Sequence, residues 1–303
     1  MRVVFMGTPE FAARSLERLY TDGHDIVGVF TQPDKPKNRG MQLQPSPVKT
    51  LALDRGTPVY QPVTLRDGEA EAILRKLAPE VIVVVAYGKL LPESILDIPT
   101  KGCINVHGSI LPRYRGAAPI QWAVLNGDRE TGISVMYMAK EMDAGDVIAV
   151  RRTPIGSEET SGELFERMMV LGAELLRDTL PEIEAGRSGR EPQDEAAATY
   201  APPLNREQSP IRWNQTPEEI KNQVRGLRPW PVATAELGGK VFKIFAVEAL
   251  EEPGGGEPGT ILDTGDDGIK VACREGAVLI RELQAPGKKR MQAGDYLRGN
   301  PLK

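Results

Sequence analysis

Six short apolar runs alternate with stretches of helical periodicity over about the first 155 residues, and that alternation leaves few folds open. The runs are Arg2–Met6, Asp25–Thr31, Pro58–Tyr60, Val81–Ala86, Gly102–His107 and Ile133–Met138. Between and after them the spacing predicts helices over Pro9–Tyr20, Pro47–Arg55, Gly68–Leu77, Ala118–Asn126 and Gly162–Glu184. Strands joined through helices pair in parallel, since the return crossover needs a helix's length of chain. The expected architecture is therefore α/β with a doubly wound, mostly parallel sheet. Thr8 before Pro9, and Ser46 before Pro47, each set a capping residue ahead of proline at the first helical position.

Gly186 to Pro203 breaks the pattern with Gly, Ser, Pro, acidic residues and an Ala run, and reads as a linker. Beyond it, Thr216-Pro-Glu-Glu219 has the form of a capping box that opens a helix. Five strand patterns follow, Ala233–Leu237, Lys240–Leu250, Thr260–Asp263, Ile269–Arg274 and Ala277–Leu283, separated by glycine-rich turns. The expected organisation is a catalytic domain over 1–185, a linker over 186–203, and a small β-barrel over 204–303. That barrel would be of the oligonucleotide/oligosaccharide-binding (OB-like) kind.

Several chemistries are excluded by counting. The longest apolar run, Val81 to Tyr87, is far too short to cross a bilayer, and no signal-peptide core opens the chain, so no membrane partner is expected. Cys103 and Cys273 are the only cysteines and offer no disulfide framework, which suits a reducing cytoplasm. His24 and His107 are the only histidines, so no zinc site can be written at a standard spacing and no metal is expected. Gly7-Thr-Pro-Glu-Phe follows the first strand of what would be a Rossmann-like sheet but lacks the later glycines of the dinucleotide fingerprint, so no NAD is expected. Net charge is −4, which argues against a generic nucleic-acid binder. From Leu204 onward, however, 15 Lys and Arg stand against 14 Asp and Glu. Positive charge gathers in two places: Asp34 to Lys49, with Lys35, Lys37, Arg39 and Lys49, and the end of the chain, with Lys288, Lys289, Arg290, Arg298 and Lys303.

Asn105 and His107 close the fifth strand two positions apart, on one face and roughly 6.5–7 Å from each other. Fold stability seldom selects a buried amide beside a buried imidazole, because each costs a few kcal/mol unless satisfied. Gly108 and Pro112 then mark the strand exit, where active sites of open α/β sheets gather. Asp143 opens a turn after the strand pattern Ile133–Met138. Were that strand parallel to Gly102–His107 and beside it, Asp143 would share an edge with His107. A carboxylate beside an imidazole orients it and favours its charged form, and Asn105 adds a neutral donor. The three suit an acyl transfer in which an amine attacks a carbonyl and its oxygen becomes negative. The alternative reading is a hydrogen-bonded core histidine, a structural Asn and a turn-forming Asp.

The stretch Asn105-Val-His107-Gly-Ser109-Ile-Leu-Pro112-Arg-Tyr-Arg-Gly-Ala-Ala-Pro, followed by Met142-Asp143-Ala-Gly-Asp, resembles the signature of the 10-formyltetrahydrofolate-dependent formyltransferases. Phe5-Met-Gly-Thr-Pro-Glu-Phe-Ala12, Thr31-Gln-Pro-Asp-Lys-Pro, Pro45-Ser-Pro-Val-Lys49 and Arg228-Pro-Trp-Pro231 are similar to the branch that acts on methionyl initiator tRNA. The resemblance implies catalysis by Asn105, His107 and Asp143, folate binding by Ser109, Ile110, Leu111 and Pro112, and a pterin bordered by the backbone around Tyr87 to Leu91. It implies tRNA contacts from Lys35, Lys37 and Arg39, and the basic end with Lys288, Lys289 and Arg290 gains the same reading. 10-Formyltetrahydrofolate would be the formyl donor, initiator methionyl-tRNA the acceptor, and a monomer the expected state. Pro203 and Arg212 depart from the family pattern, which leads one to expect Lys and Asp. Rival readings are an amino-sugar nucleotide N-formyltransferase, a formyltetrahydrofolate hydrolase, or a non-catalytic RNA-binding protein.

Overall fold

The structure is a computed structural model that describes residues 1–37, 42–250 and 255–302. In chain order it runs β1 (Arg2–Gly7), α1 (Glu10–Thr21), β2 (Asp25–Phe30), β3 (Lys35–Lys37), β4 (Gln42–Gln44), α2 (Pro47–Asp54), β5 (Val59–Tyr60), α3 (Glu69–Leu77) and β6 (Val81–Val85). Next come α4 (Glu93–Leu96), β7 (Cys103–His107), β8 (Arg115–Gly116), α5 (Pro119–Leu125), β9 (Glu130–Tyr137), β10 (Val147–Pro154), α6 (Ser161–Glu184) and β11 (Tyr200–Ala201). The last are α7 (Pro217–Gly226), β12 (Ala233–Leu237), β13 (Lys240–Leu250), β14 (Ile261–Gly265), β15 (Gly268–Cys273), β16 (Gly276–Gln284), β17 (Met291–Gln292) and α8 (Ala293–Gly299).

Two compact units result. The first holds Met1–Pro119, Thr131–Thr153 and Phe165–Ala201; the second holds Ile120–Glu130, Pro154–Leu164 and Pro202 onward. Residues 186–201, which composition reads as a linker, thus belong with the first unit.

The first unit is built on a seven-stranded sheet in the order β10-β9-β7-β6-β1-β2-β5. β1 pairs in parallel with β2 on one side and β6 on the other, so the strand order reverses there, as a doubly wound sheet requires. β6 and β7 are also parallel. The central strands β1 and β6 are buried almost throughout, because helices cover both faces, and their unbroken Val-rich runs reflect this. β9 departs from the expectation of a parallel neighbour: it runs antiparallel to β7, with His107 opposite Ser134 and Ile104 opposite Tyr137.

Local capping rules hold where nothing stronger competes. Ser46 caps α2 by accepting from Lys49 N–H at 3.0 Å, with Pro47 at the first helical position. Thr8 does not cap α1; its hydroxyl donates to the Tyr87 carbonyl at 3.3 Å across the ends of β1 and β6.

In the second unit antiparallel strands run β12-β13-β16-β15-β14, with β17 also on β16. Phe242, Ile244, Ile269, Val271, Val278 and Ile280 alternate inward to form its core, closed by Ile220, Val224 and Leu227 from α7 and the turn after it. Thr216 and Glu219 form the capping box that the sequence predicts. Among the described residues no helix is long and apolar enough to cross a membrane.

Candidate active site

β7 carries its side chains on two faces. Val106 meets α6, where Gly172 permits the approach: a Cβ there would lie 3.2 Å from Val106 Cγ1. Asn105 and His107 occupy the opposite face, 9% and 6% exposed. Among the described residues the Asn105 side-chain amide has no hydrogen-bond partner, yet its polar atoms are not sealed from solvent. An amide that deep, bonded to no protein group but still reached by solvent, is open to a bound acceptor.

His107 is held at both ring nitrogens. Nε2 lies 2.9 Å from the Tyr114 carbonyl, and Nδ1 lies 3.7 Å from Asp143 Oδ2. The second distance is too long for a hydrogen bond but within ion-pair range. A doubly protonated ring donates at Nε2 and keeps its Nδ1–H toward the carboxylate.

The route that brings Asp143 to His107 differs from the parallel-edge expectation. Because β9 is antiparallel, its Tyr137 end lies beside the start of β7, and the loop from Met138 to Asp146 must fold back toward His107. Gly145 makes that turn possible, since a Cβ at this position would fall 1.9 Å from the Tyr137 carbonyl oxygen. Asp143 Oδ2 is anchored by the Gly116 N–H at 2.8 Å. Asp143 and Tyr114 both take left-handed backbone angles, φ 52° and 60°. Such angles cost non-glycine residues roughly 1–3 kcal/mol each and collect at functional sites.

The segment expected to bind folate lies on this same strand exit. Ser109 is fully buried, and its hydroxyl donates to the Arg113 carbonyl at 2.6 Å. Leu111 packs with Met136 and Val147, while Ile110 and Pro112 are half-buried. Cys103, at the start of the same strand, is a poor nucleophile: burial pushes its thiol up to about 12.

Residues that sequence reasoning missed complete the frame. Ser134, fully buried, accepts from the Leu111 N–H at 3.1 Å and donates to the Ser109 carbonyl at 2.7 Å, so it braces the loop on both sides. Its only signal was a polar residue inside an apolar strand. Thr199 Oγ1 accepts from the Tyr114 N–H, and the Thr199 carbonyl accepts from the Arg115 N–H. Arg115, 2% exposed, donates to Glu195 and Gln193. That bond holds the Glu195 carboxyl below the usual carboxylate range.

The candidate tRNA residues fall in both units. Lys35 is exposed on β3, Lys37 ends that strand, and Arg39 lies outside the described residues. Lys49 is committed instead to Asp34 at 2.7 Å and Gln61 at 2.8 Å. Lys288 and Lys289 are exposed, whereas Arg290 is tied to Glu282 and lies 4.5 Å from the Phe245 ring centre.

Comparison with known proteins is consistent over the whole chain. Residues 1–180 match the Formyl transferase family and residues 203–301 match Formyl transferase, C-terminal domain. A methionyl-tRNA formyltransferase of Geotalea uraniireducens is 50% identical over 299 residues, covering 99% of this chain and 95% of its own. One from Moorella thermoacetica is 49% identical, covering 100% and 97%. Among solved structures, an N-formyltransferase from Helicobacter canadensis in complex with folinic acid and dTDP-3-aminofucose aligns with TM-score 0.72 at 18% identity, over 94% of this chain and 99% of that one. HypX from Aquifex aeolicus in complex with tetrahydrofolic acid aligns with TM-score 0.62 at 21% identity, over 98% of this chain and 47% of its own.

Proposed function

The chain belongs to the formyl transferase family, and from that premise we propose that it moves a formyl group from 10-formyltetrahydrofolate to the α-amine of methionyl initiator tRNA. What carries the reading is the likeness to methionyl-tRNA formyltransferases, which runs through both units at half of all positions. The solved formyltransferases resemble the chain only at the level of fold.

The residues fit a formyl donor. Asn105 offers a buried donor without a protein partner among the described residues, and the loop from Ser109 to Pro112 is braced by Ser134 beside it. In the reaction the neutral amine attacks the formyl carbon; the new C–N bond forms, the bond to folate N10 breaks, and a proton passes from the amine to N10. Asn105 donates to the oxygen that becomes negative, and protonated His107 supplies positive charge next to it. Asp143 faces Nδ1 and orients the ring, and water held at its carboxylate relays the proton. Loss of Asn105 is expected to cost on the order of 10²–10³ in turnover, and loss of His107 about 10²–10⁴.

Lys35, Lys37 and Arg39 in the first unit, and Lys288 and Lys289 in the second, would each offer positive charge to phosphates of the acceptor tRNA. The protein acts as a cytoplasmic monomer in this reading. A time course with 10-formyltetrahydrofolate tests it, offering charged initiator tRNA, charged elongator tRNA, an amino-sugar nucleotide and water as acceptors. Formylation of the initiator species above the others is the expected result; preferential transfer to the sugar or to water would replace the reading.

A further inference from the structure

We propose that Gln193 is the positioning residue that holds Asp143 in register with His107. The inference rests on the catalytic reading of that pair. Gln193 sits in the segment that composition marks as a linker, half-buried and remote in sequence from Asn105, His107 and Asp143. Its amide nitrogen donates to two carbonyls of one turn, Asp143 at 2.8 Å and Gly145 at 2.7 Å. Its oxygen accepts from Arg115 Nε at 3.1 Å and Nη2 at 2.8 Å. Both hydrogens and the oxygen of the amide are therefore in use, and the orientation is set by its partners.

The contacts close a ring around the catalytic carboxylate. Gln193 grips the backbone of Asp143, and through Arg115 it also grips the residue next to Gly116, whose N–H holds Asp143 Oδ2 at 2.8 Å. Arg115 is pinned in turn by Glu195 and by Thr199. The grip matters because Asp143 is a non-glycine residue at φ 52°, a conformation the turn alone would tend to leave. Releasing it lets the carboxylate drift from the 3.7 Å approach to Nδ1. A displacement near 1 Å at a catalytic group costs up to about 10²-fold in rate.

Two readouts test this, one of them independent of the acceptor. Because the chain has only two histidines, ring ¹⁵N resonances of His107 and His24 can be assigned with a His24→Asn variant. In Gln193→Ala, the His107 resonances are expected to move in the direction seen in Asp143→Asn, while those of His24 stay in place. In turnover, Gln193→Ala should lower kcat by on the order of 10- to 100-fold with KM for both substrates within about threefold. In the Asp143→Asn background the same change should cost less than about twofold, since the group it positions is already lost. Gln193→Glu, which keeps the size but replaces both donors with acceptors, serves if the Ala variant does not fold. The proposal falls if His107 resonances coincide with those of the parent, or if the kcat loss is equal in both backgrounds. A parent enzyme that does not formylate methionyl-tRNA would overturn the functional reading instead, and the ring resonances alone would then decide the role of Gln193.

Discussion

Replacing Asp143 by Asn keeps the side chain's shape and an oxygen for the Gly116 N–H, while it removes the charge and turns the other acceptor oxygen into an N–H donor. The separation of 3.7 Å between Oδ2 and His107 Nδ1 sets the scale of the loss. At an effective dielectric near 20, two unit charges at that distance attract by about 4 kcal/mol. Both groups are largely buried, so solvent screening takes little of this away. If most of it is expressed while the formyl oxygen is negative, turnover falls by about 10²–10³. Single-turnover formylation of charged initiator tRNA, with folate saturating, measures the chemical step directly. Asp143→Ala separates charge from scaffold: it also strips the Gly116 N–H of its acceptor, at about 1–2 kcal/mol. Its melting temperature should therefore drop further than that of Asp143→Asn, which keeps that acceptor. An Asn variant within threefold of the parent in this assay would refute the argument that the carboxylate's charge acts through His107.

Ser134→Ala leaves the Leu111 N–H and the Ser109 carbonyl without their buried partner; a loss of about 2–4 kcal/mol in urea unfolding and a raised KM for the folate are expected, and a loss under about 0.5 kcal/mol would contradict the bracing role. Neutralising Lys288 and Lys289 should flatten the salt dependence of tRNA binding by roughly 0.7–0.9 log units for each phosphate left without its cation. Arg290→Ala, already balanced by Glu282, should change that slope little; an unaltered slope in the Lys pair would take this turn out of the RNA footprint. Burial pushes the Cys103 thiol up to about 12, so iodoacetamide at neutral pH should leave it unmodified in the native protein and label it after unfolding. Rapid native labelling would show that β7 is open to solvent.

Residues linked by short-range rules were legible from the sequence. The shared face of Asn105 and His107 follows from the two-residue period of a strand, which needs no knowledge of neighbours. Ser46 and Thr216 cap their helices because the partner N–H lies three residues away in each case. Thr8 obeyed no such rule, since the Tyr87 carbonyl, delivered by a strand nearly eighty residues later, offered it a different bond. Asp143 was correctly singled out for its place near His107, but through a parallel strand that the structure does not contain.

The amino-acid sequence by itself determined that this chain forms a wound α/β sheet with an antiparallel unit after it, because apolar periodicity and turn residues act within a few positions. It also singled out Asn105, His107 and Asp143 as candidate site residues. Only the tertiary structure decided how they meet: which way β9 runs, how the loop after it doubles back, and that residues 191–201 lie along the site as a strap. Those contacts join polar groups about fifty to eighty-five residues apart. Such bonds leave no periodic trace in composition, since a Gln or Thr that clamps a turn looks in sequence like one that merely faces water.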